Sequence, residues 1–159
     1  MWLWYYRRVA SVALDSLAIT TASLGDLFAA HALEKACFGV DAWGYFEIFA
    51  ALVSPGQVRL KVVADGKMIG LVIGDPHPFE RVGWIATLGV HPDYQRRGIG
   101  RKLLTECEAA LRHPVLKLTV RQSNHSAIAL YHQFGYHQVG VWPRYYASGE
   151  DGIVMEKRR

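Results

Sequence analysis

Residues 90–104 read Val90-His-Pro-Asp-Tyr-Gln-Arg-Arg-Gly98-Ile-Gly100-Arg-Lys-Leu-Leu104, and they join an apolar run to an amphipathic helix pattern. The first N–H groups of a helix lack intrahelical partners and lie at the positive end of its dipole, so such a position binds phosphate. Gly98 and Gly100 carry no side chain that would keep a diphosphate from the backbone, and the flanking arginines add positive charge. The stretch predicts a strand, a diphosphate-binding loop and a helix. A basic surface loop before an ordinary helix is the alternative.

Two common nucleotide-binding motifs do not fit this loop. A dinucleotide fingerprint requires a third glycine, and Leu103 stands at that position. The chain also lacks the glycine-lysine-serine or glycine-lysine-threonine run of a P-loop. The loop therefore favours a diphosphate ligand of another kind.

The chain before the loop predicts strands that lead into it. Val58 to Ala64 and Met68 to Ile73 are apolar runs joined at Asp65-Gly66, a strong hairpin signal. After a turn-rich stretch at 75–78, residues 84–90 predict a central strand, in which Gly89 marks a bulge or a close backbone approach. A ligand is expected to lie against that point.

Two helices are predicted near the start of the chain. A short strand at 17–20 precedes a capping box at Ser23 to Asp26, which predicts a helix through about Ala36. The predicted buried face of this helix consists of Leu24, Leu27, Phe28 and His31. A second helix after Trp43 has apolar residues at helical spacing, namely Phe46, Phe49, Ala50 and Val53.

The second half of the chain predicts two more helices and three strands. A helix over 98–112 has a predicted apolar face of Ile99, Leu103, Leu104, Cys107, Ala110 and Leu111, with Arg101, Lys102, Glu106 and Glu108 outside it. The remaining elements are a strand at 115–120, a helix at 124–134 and closing strands near 137–142 and 152–156. This order predicts an α/β (α+β) fold, a mixed sheet flanked by helices.

Length and composition limit the function. The chain has 159 residues, of which 51% are hydrophobic and 20% charged, and this predicts one domain over 17–159 after an N-terminal extension at 1–16. The formal charge of +4 suits an anionic ligand, but the basic residues are scattered, which argues against nucleic acid. Two cysteines in apolar helical patterns indicate a reducing cytoplasm.

No stretch reaches the roughly 18 apolar residues of a membrane span. The extension, with its aromatic run Trp2-Leu-Trp-Tyr-Tyr6, is expected either to pack on the domain or to serve an oligomer interface. A monomer and a homodimer both stay open.

The loop Gln95-Arg-Arg-Gly98-Ile-Gly100 resembles the acetyl-coenzyme A motif of the GNAT family of N-acetyltransferases, whose core pattern is Gln/Arg-x-x-Gly-x-Gly/Ala. The order of elements over 17–157 is similar to that family. A second stretch, from Leu118 through Asn124 and Tyr131 to Tyr136, resembles the branch that acetylates the N-terminal alanine of a ribosomal protein. The resemblance implies a mostly antiparallel sheet with a splayed central strand pair, and direct attack of a primary amine on acetyl-coenzyme A in a ternary complex without a metal.

The resemblance also assigns site residues. It implies that the backbone of Leu88, Gly89 and Val90 holds the pantetheine arm and polarises the thioester carbonyl. The pyrophosphate would bind the N–H groups of the loop and helix start, which are Arg96, Arg97, Gly98, Ile99, Gly100 and Arg101. Asn124 would hydrogen-bond the cofactor, and Tyr131 would be the general acid that protonates the departing thiolate. By the residues alone, Asn124 is a helix cap and Tyr131 a core aromatic.

The base that accepts the amine proton is missing from the expected position. In the related enzymes a glutamate stands five residues before the asparagine, whereas here that residue is Thr119, which cannot be a general base. Water-linked replacements near the predicted site are His77, Glu80, His91 and Glu47. This departure leaves the proton path and the N-terminal substrate open.

Acceptor recognition is predicted at Trp142-Pro-Arg-Tyr145-Tyr146, which resembles the tyrosine-bearing hairpin that N-terminal acetyltransferases close over a peptide. A half-buried aromatic turn is the equal alternative. The pair Glu150-Asp151 would neutralise a cationic acceptor or form a solvated turn. Two other functions stay open, which are acetylation of a small amine such as a polyamine, amino acid or aminoglycoside, and non-catalytic binding of acetyl-coenzyme A.

Overall fold

The computed structural model describes residues 17–159, so the predicted extension at 1–16 lies outside the described residues. The helices are α1 (Leu27–Phe38), α2 (Tyr45–Val53), α3 (Ile99–Leu111) and α4 (His125–Gln133). The strands are β1 (Ile19–Thr21), β2 (Val58–Ala64), β3 (Lys67–His77), β4 (Val82–Val90), β5 (Val115–Arg121), β6 (His137–Trp142) and β7 (Gly152–Arg158). Every predicted element is present. No helix of the described chain is long and apolar enough to cross a membrane.

The seven strands form one sheet in the order β1-β2-β3-β4-β5-β7-β6. All neighbouring pairs are antiparallel except β4 and β5, which are parallel. The hairpin between β2 and β3 turns at Asp65 and Gly66, whose φ angles of 50° and 74° are those that its tight turn requires. The predicted mixed, mostly antiparallel fold is therefore confirmed.

The central pair of strands separates part of the way along. Pairing between β4 and β5 runs from Val82 with Val115 to Ile85 with Leu118 and goes no further. An extra residue in β4, Ala86, forms a β-bulge opposite β3 at this point. Bulges bend a strand, and β4 turns away from β5 beyond this one. The sequence correctly predicts a close approach at Gly89, where an added Cβ would lie 3.2 Å from Cys37 Sγ, but the bulge itself is at Ala86.

Helices cover both faces of the sheet. On one face, α3 lies so close to β3 that a Cβ at Gly70 would lie 2.9 Å from Leu103, and one at Gly74 would lie 2.8 Å from Cys107. On the other face, α1 and α2 pack on the β3 side chains Leu71 and Ile73. Because side chains of a strand alternate between faces, β3 supplies one buried surface to each layer.

The predicted buried face of α1 is wrong at Leu24 and Phe28, whereas Leu27 is partly buried against the core. Leu24 is 49% and Phe28 73% exposed, whereas the buried residues of the helix are Ala30, Leu33 and Glu34. The capping box does form, with Ser23 N–H donating to Asp26 at 2.8 Å. Apolar residues at helical spacing occur on two sides of this helix, and only the sheet decides which side is buried.

Similar shifts occur in three other elements. In α2, Phe46 and Phe49 are exposed, and Ile48, Ala51 and Leu52 are buried instead. In α3, Glu108 takes the buried place predicted for Ala110, because Lys157 Nζ donates to its carboxylate at 2.6 Å. Strand β3 continues through the predicted turn to His77. The first residue of β2, Val58, pairs with Gly74, so Pro76 has a neighbouring strand only on the β4 side. A strand tolerates proline at such an edge position.

Candidate active site

A cavity of about 380 Å³ opens where β4 leaves β5. It is bounded by the second half of β4, the loop before α3, the first turn of α3 and one face of α4. The predicted site residues that line it are Leu88, Gly89, Val90, Arg96, Gly98, Ile99, Gly100, Arg101, Asn124 and Tyr131. Arg97 does not line the cavity, because its guanidinium lies 5.3 Å above the Tyr94 ring.

The backbone of β4 presents hydrogen-bonding groups to this cavity. His91 N–H donates to Ile69 on β3, and the backbone groups of successive residues in a strand face opposite edges. The N–H and C=O groups of Leu88 and Val90 therefore face away from β3, toward the gap left by β5. The Val90 carbonyl accepts hydrogen bonds from Gln95 Nε2 at 3.0 Å and Cys37 Sγ at 3.3 Å. The N–H groups of Leu88 and Val90 are thus positioned to bind a ligand.

The loop before α3 presents unpaired backbone N–H groups at the end of the same cavity. Gly98 is the N-cap with φ 82°, and the first intrahelical bond runs from Lys102 N–H to the Gly98 carbonyl at 3.0 Å. The N–H groups of Ile99, Gly100 and Arg101 therefore have no acceptor within the helix. A Cβ at Gly100 would meet Val90 at 3.6 Å, which is ordinary contact. The first turn of α3 can accept a diphosphate against its backbone.

Asn124 caps α4 and also lines the cavity. Its side-chain oxygen accepts a hydrogen bond from Ala127 N–H at 3.1 Å. The cap uses the oxygen, so the amide nitrogen is the group that remains to donate to a ligand. Capping and ligand binding are therefore compatible at this residue.

Tyr131 lies two turns further along α4, with 7% of its surface exposed. Its ring packs edge-on against Tyr136 with centroids 5.8 Å apart, so it also has the core role that its sequence context predicts. Burial raises the pKa of the Tyr131 hydroxyl above its ordinary value. The hydroxyl therefore stays protonated at neutral pH, as a proton donor to a departing thiolate must.

A second cavity of about 130 Å³ meets the first at Asn124 and Tyr131. Its other walls come from the end of α1, the 39–44 segment, β4 and β5. Tyr146 lines this cavity, while Tyr145 is 52% exposed and packs against Trp142 with ring centroids 5.1 Å apart. The two predicted acceptor tyrosines are therefore on different surfaces.

The predicted replacements for the base lie elsewhere. His77, Glu80, His91 and Glu47 line neither cavity, whereas Thr119 lines the second. His77 contacts Asp75 at 3.1 Å, and His91 lies 2.9 Å from Lys67 Nζ. Glu47 and Glu80 are exposed. None of the four is placed to accept a proton in either cavity.

The acidic pair of the 143–151 segment is occupied by loop contacts. Glu150 accepts hydrogen bonds from the N–H and hydroxyl of Ser123 at 3.1 and 2.8 Å. Asp151 accepts one from Arg144 N–H at 2.8 Å. The pair therefore holds the segment against the start of α4, and neither residue lines the two cavities.

Sequence reasoning missed three residues of the second cavity, Glu34, Asp41 and Trp43. Glu34 and Asp41 are acidic residues, a type that is rarely buried, so the sequence alone predicts that they are solvated. Trp43 marks the start of a predicted helix. No pattern in the sequence marks these three residues as a site, because the hydrogen bond from Trp43 N–H to Glu34 at 3.2 Å forms only in the folded chain.

Nucleophilic catalysis by cysteine has little support in this site. Burial raises the pKa of both Cys37 and Cys107 to about 12, with a smaller effect from the neighbouring glutamates. Cys107 belongs to α3, and its side chain is fully buried. A thiol is a weak nucleophile until it is ionised, so the site favours direct transfer. Across residues 17–159, no three His, Cys, Asp or Glu side chains lie where they could hold a metal ion.

The sequence of this chain is similar to those of known acetyltransferases. Residues 28–136 match the model of the Acetyltransferase (GNAT) family. The N-alpha-acetyltransferase RimI of Mycobacterium tuberculosis is 37% identical over 131 residues, which cover 79% of this chain and 82% of that protein. The [ribosomal protein bS18]-alanine N-acetyltransferase of Salmonella typhimurium is 38% identical over 104 residues, or 62% of this chain and 69% of that protein.

A solved structure agrees with these relatives. The ribosomal-protein-S18-alanine N-acetyltransferase of Escherichia coli superposes with a TM-score of 0.78 at 30% identity, covering 89% of this chain and 93% of that one. The family match agrees with two features of the fold, which are the separated strands β4 and β5 and the glycine loop at the start of α3. The chain belongs to the GNAT family, and it is an N-acetyltransferase that transfers an acetyl group from acetyl-coenzyme A to a primary amine.

Proposed function

We propose that the acceptor is the N-terminal α-amine of a protein, with a ribosomal protein as the first candidate. The observation that carries this proposal is the second cavity, which meets the first at Tyr131 and has Tyr146 in its wall. Its volume of about 130 Å³ suits a small terminal residue. The two relatives and the solved structure named above all act on an N-terminal amine by their names. A ribosomal substrate would also place the reaction in the cytoplasm.

The larger cavity is proposed to bind acetyl-coenzyme A, which supplies the reactive thioester. Backbone N–H groups of Ile99, Gly100 and Arg101 hold the pyrophosphate at the start of α3. The N–H groups of Leu88 and Val90 bind the pantetheine arm and hydrogen-bond the thioester carbonyl. Such donors are fixed by the backbone and need little reorganisation during the reaction.

Arg96 and Asn124 complete this binding surface. Arg96 has a left-handed backbone with φ 59° and lines the cavity at the pyrophosphate end. The Asn124 amide nitrogen donates to the cofactor while its oxygen caps α4. Arg101 is restrained, because it donates to Gln133 and lies 5.2 Å from the Phe134 ring centre. Its backbone N–H is therefore the more direct contact.

Tyr131 is proposed to protonate the leaving thiolate. It lines both cavities, so its hydroxyl is available at the boundary between cofactor and acceptor. The amine attacks the thioester directly, as both substrates are held side by side. Tyr146 is proposed to hydrogen-bond the acceptor backbone from the opposite wall.

The test measures coenzyme A thiol release with a panel of acceptors. The panel contains free N-terminal peptides, the same peptides with a blocked N-terminus, polyamines and aminoglycosides. Turnover on free peptides that disappears with the blocked ones supports the proposal. Turnover confined to polyamines or aminoglycosides would replace it with a small-amine acetyltransferase. Tight acetyl-coenzyme A binding without turnover on any amine would indicate a binding module.

A further inference from the structure

Glu34 is a buried carboxylate in the wall of the acceptor cavity. It lies on α1 with 3% of its surface exposed, and it shares the second cavity with Thr119 and Tyr131. Its Oε1 accepts a hydrogen bond from Thr87 Oγ1 at 2.6 Å, and its Oε2 accepts one from Trp43 N–H at 3.2 Å. Two donors on different elements therefore hold this carboxylate in one orientation.

Its charge has no counter-ion in the cavity. The other charged groups that line it are Asp41 and Arg121, and these form an ion pair at 2.7 Å. Arg121 also donates to the Phe38 carbonyl at 2.6 Å, and Asp41 accepts from Ser148 N–H at 2.8 Å. The remaining titratable groups in the wall are neutral at pH 7, namely Cys37, Tyr131 and Tyr146. Within the described chain Glu34 makes no ion pair, so it is the carboxylate that an entering ammonium group would meet.

A buried carboxylate without a counter-ion lowers the stability of the folded protein. A buried charge without a partner strongly destabilises a fold, and the group commonly becomes neutral instead. Burial raises the pKa of Glu34 above its ordinary value, while the hydrogen bonds from Thr87 and Trp43 oppose that rise. A carboxylate with a raised pKa is a stronger base than a solvated one.

We propose that Glu34 is the general base that takes the proton of the attacking amine. It would replace the glutamate of the related enzymes, whose position is occupied here by Thr119. This inference rests on the proposed N-acetyltransferase site and adds its missing proton acceptor. Thr87 and Trp43 are positioning residues, because they aim the carboxylate and do not touch the substrate.

The proton balance of the reaction is complete with these groups. The entering ammonium group first releases one proton to solvent. The neutral amine nitrogen then bonds to the acetyl carbon and gives its second proton to Glu34, while the carbon–sulfur bond breaks. Tyr131 gives its proton to the coenzyme A thiolate. After the products leave, the Glu34 proton is released to solvent and Tyr131 regains one from solvent, so the enzyme returns to its starting state.

A structural role for Glu34 is the competing explanation, because its hydrogen bonds also tie α1 to β4 and to the 39–44 segment. A base and a structural tie differ in their pH dependence. Glu34 accepts a proton only when it is ionised, so kcat falls as the pH falls through its pKa. This fall of kcat at low pH is the acidic limb of the pH profile. Removal of hydrogen bonds that are only structural lowers the stability of the protein without moving the acidic limb.

The decisive experiment compares Glu34→Gln with Glu108→Gln, a second buried glutamate that lies outside both cavities. We expect Glu34→Gln to lower kcat by at least about 100-fold and to abolish the acidic limb, with acetyl-coenzyme A affinity within twofold. Glu108→Gln keeps the acidic limb of the native enzyme. Adding Thr119→Glu to Glu34→Gln supplies a carboxylate in the same cavity and recovers at least about tenfold of the lost rate.

A second variant decides the matter if Glu34→Gln does not fold. Thr87→Val leaves the carboxylate in place but removes a hydrogen bond that lowers its pKa. The acidic limb of kcat then moves to higher pH. A folded Glu34→Gln with kcat within threefold of native and the same limb would overturn the proposal, as would an unmoved limb in Thr87→Val when Glu34→Gln fails to fold.

The assays use whichever amine the native enzyme acetylates. Failure of peptides as acceptors would therefore refute the proposed substrate alone. An unchanged pH profile in the variants would refute Glu34 as the base and leave the proposed substrate intact.

Discussion

Ile85 and Leu118 are the last residues through which β4 and β5 pair, and both cavities of the site open beyond them. Past this pair, β4 bonds to β3 and β5 bonds to β7. Each strand therefore keeps one hydrogen-bonded edge and leaves the other free. The free edge of β4 and the N-cap of α3 both border the larger cavity, so the proposed binding of the cofactor depends mainly on backbone geometry.

Replacing Tyr131 by Phe tests the proton donor. Loss of the hydroxyl should lower kcat about 100-fold to 1,000-fold, because general acid catalysis typically contributes factors of this size. The KM for acetyl-coenzyme A should change less than twofold, since the ring remains. Steady-state kinetics from thiol release measure both. Because burial raises the Tyr131 pKa, the native enzyme should show no alkaline loss of kcat from this residue up to about pH 9.

Tyr136→Phe is the matched control for Tyr131→Phe. Tyr136 packs against Tyr131 but lines neither cavity. Its kcat should stay within about twofold of native. An equal loss in both variants would mean that packing around α4, and not proton donation, limits the rate.

Gly98 and Gly100 should differ in their tolerance of alanine. Gly98 has φ 82°, a conformation that costs a residue with a Cβ about 1–2 kcal/mol. Gly98→Ala should weaken acetyl-coenzyme A binding about tenfold as the loop relaxes. Gly100 is helical, and an added Cβ would make ordinary contacts at 3.6 and 3.9 Å, so Gly100→Ala should bind within about threefold of native. Calorimetry measures both affinities, and the reverse order would contradict the proposed loop.

Tyr146 and Tyr145 separate acceptor binding from surface packing. Tyr146→Phe should raise the KM for the peptide about fivefold, as expected for one lost hydrogen bond, and leave the KM for acetyl-coenzyme A unchanged. Tyr145→Phe should have no measurable effect, because Tyr145 lines neither cavity. Peptide titrations at saturating acetyl-coenzyme A give the KM for the peptide, and acetyl-coenzyme A titrations at saturating peptide give the KM for acetyl-coenzyme A. An effect of Tyr145 alone would move the acceptor to the outer surface near Trp142.

The two cysteines should resist thiol reagents in the native protein. Their pKa values of about 12 keep both thiols protonated at neutral pH, and only the thiolate reacts readily. Labelling with iodoacetamide at pH 7.5, followed by mass spectrometry, should leave both unmodified over the time in which a free thiol reacts fully. In denaturant both should react. Rapid modification of Cys37 in the native protein would show that the cavity wall at this residue is more accessible to solvent than the structure indicates.

Local patterns in the sequence were sufficient to predict the element order and the glycine loop that begins α3. The Asp65-Gly66 turn, the capping box at Ser23 and the glycines before α3 each specify a backbone conformation by themselves. The cofactor residues proposed around Gly98 rest on the same kind of pattern, since the contacts proposed for them are made by the backbone.

The buried helix faces and the proposed base, Glu34, could not be predicted in this way. Phe28 and Ala30 both belong to apolar stripes of α1, and only packing on β3 exposes the larger residue and buries the smaller one. Glu34, between Leu33 and Lys35, has the context of a solvated residue. Its partners Thr87 and Trp43 come from separate parts of the chain, so its burial depends on tertiary structure.

The most direct test of the central claim is the position of the acetyl group on a peptide that has both a free α-amine and an internal lysine. The peptide is incubated with the enzyme and acetyl-coenzyme A, and tandem mass spectrometry locates the added 42 Da, the mass of one acetyl group in place of a hydrogen. This account predicts modification of the α-amine alone, with at least about tenfold less product in Tyr131→Phe. Acetylation of the lysine, or none on a peptide while a polyamine is modified, would contradict it.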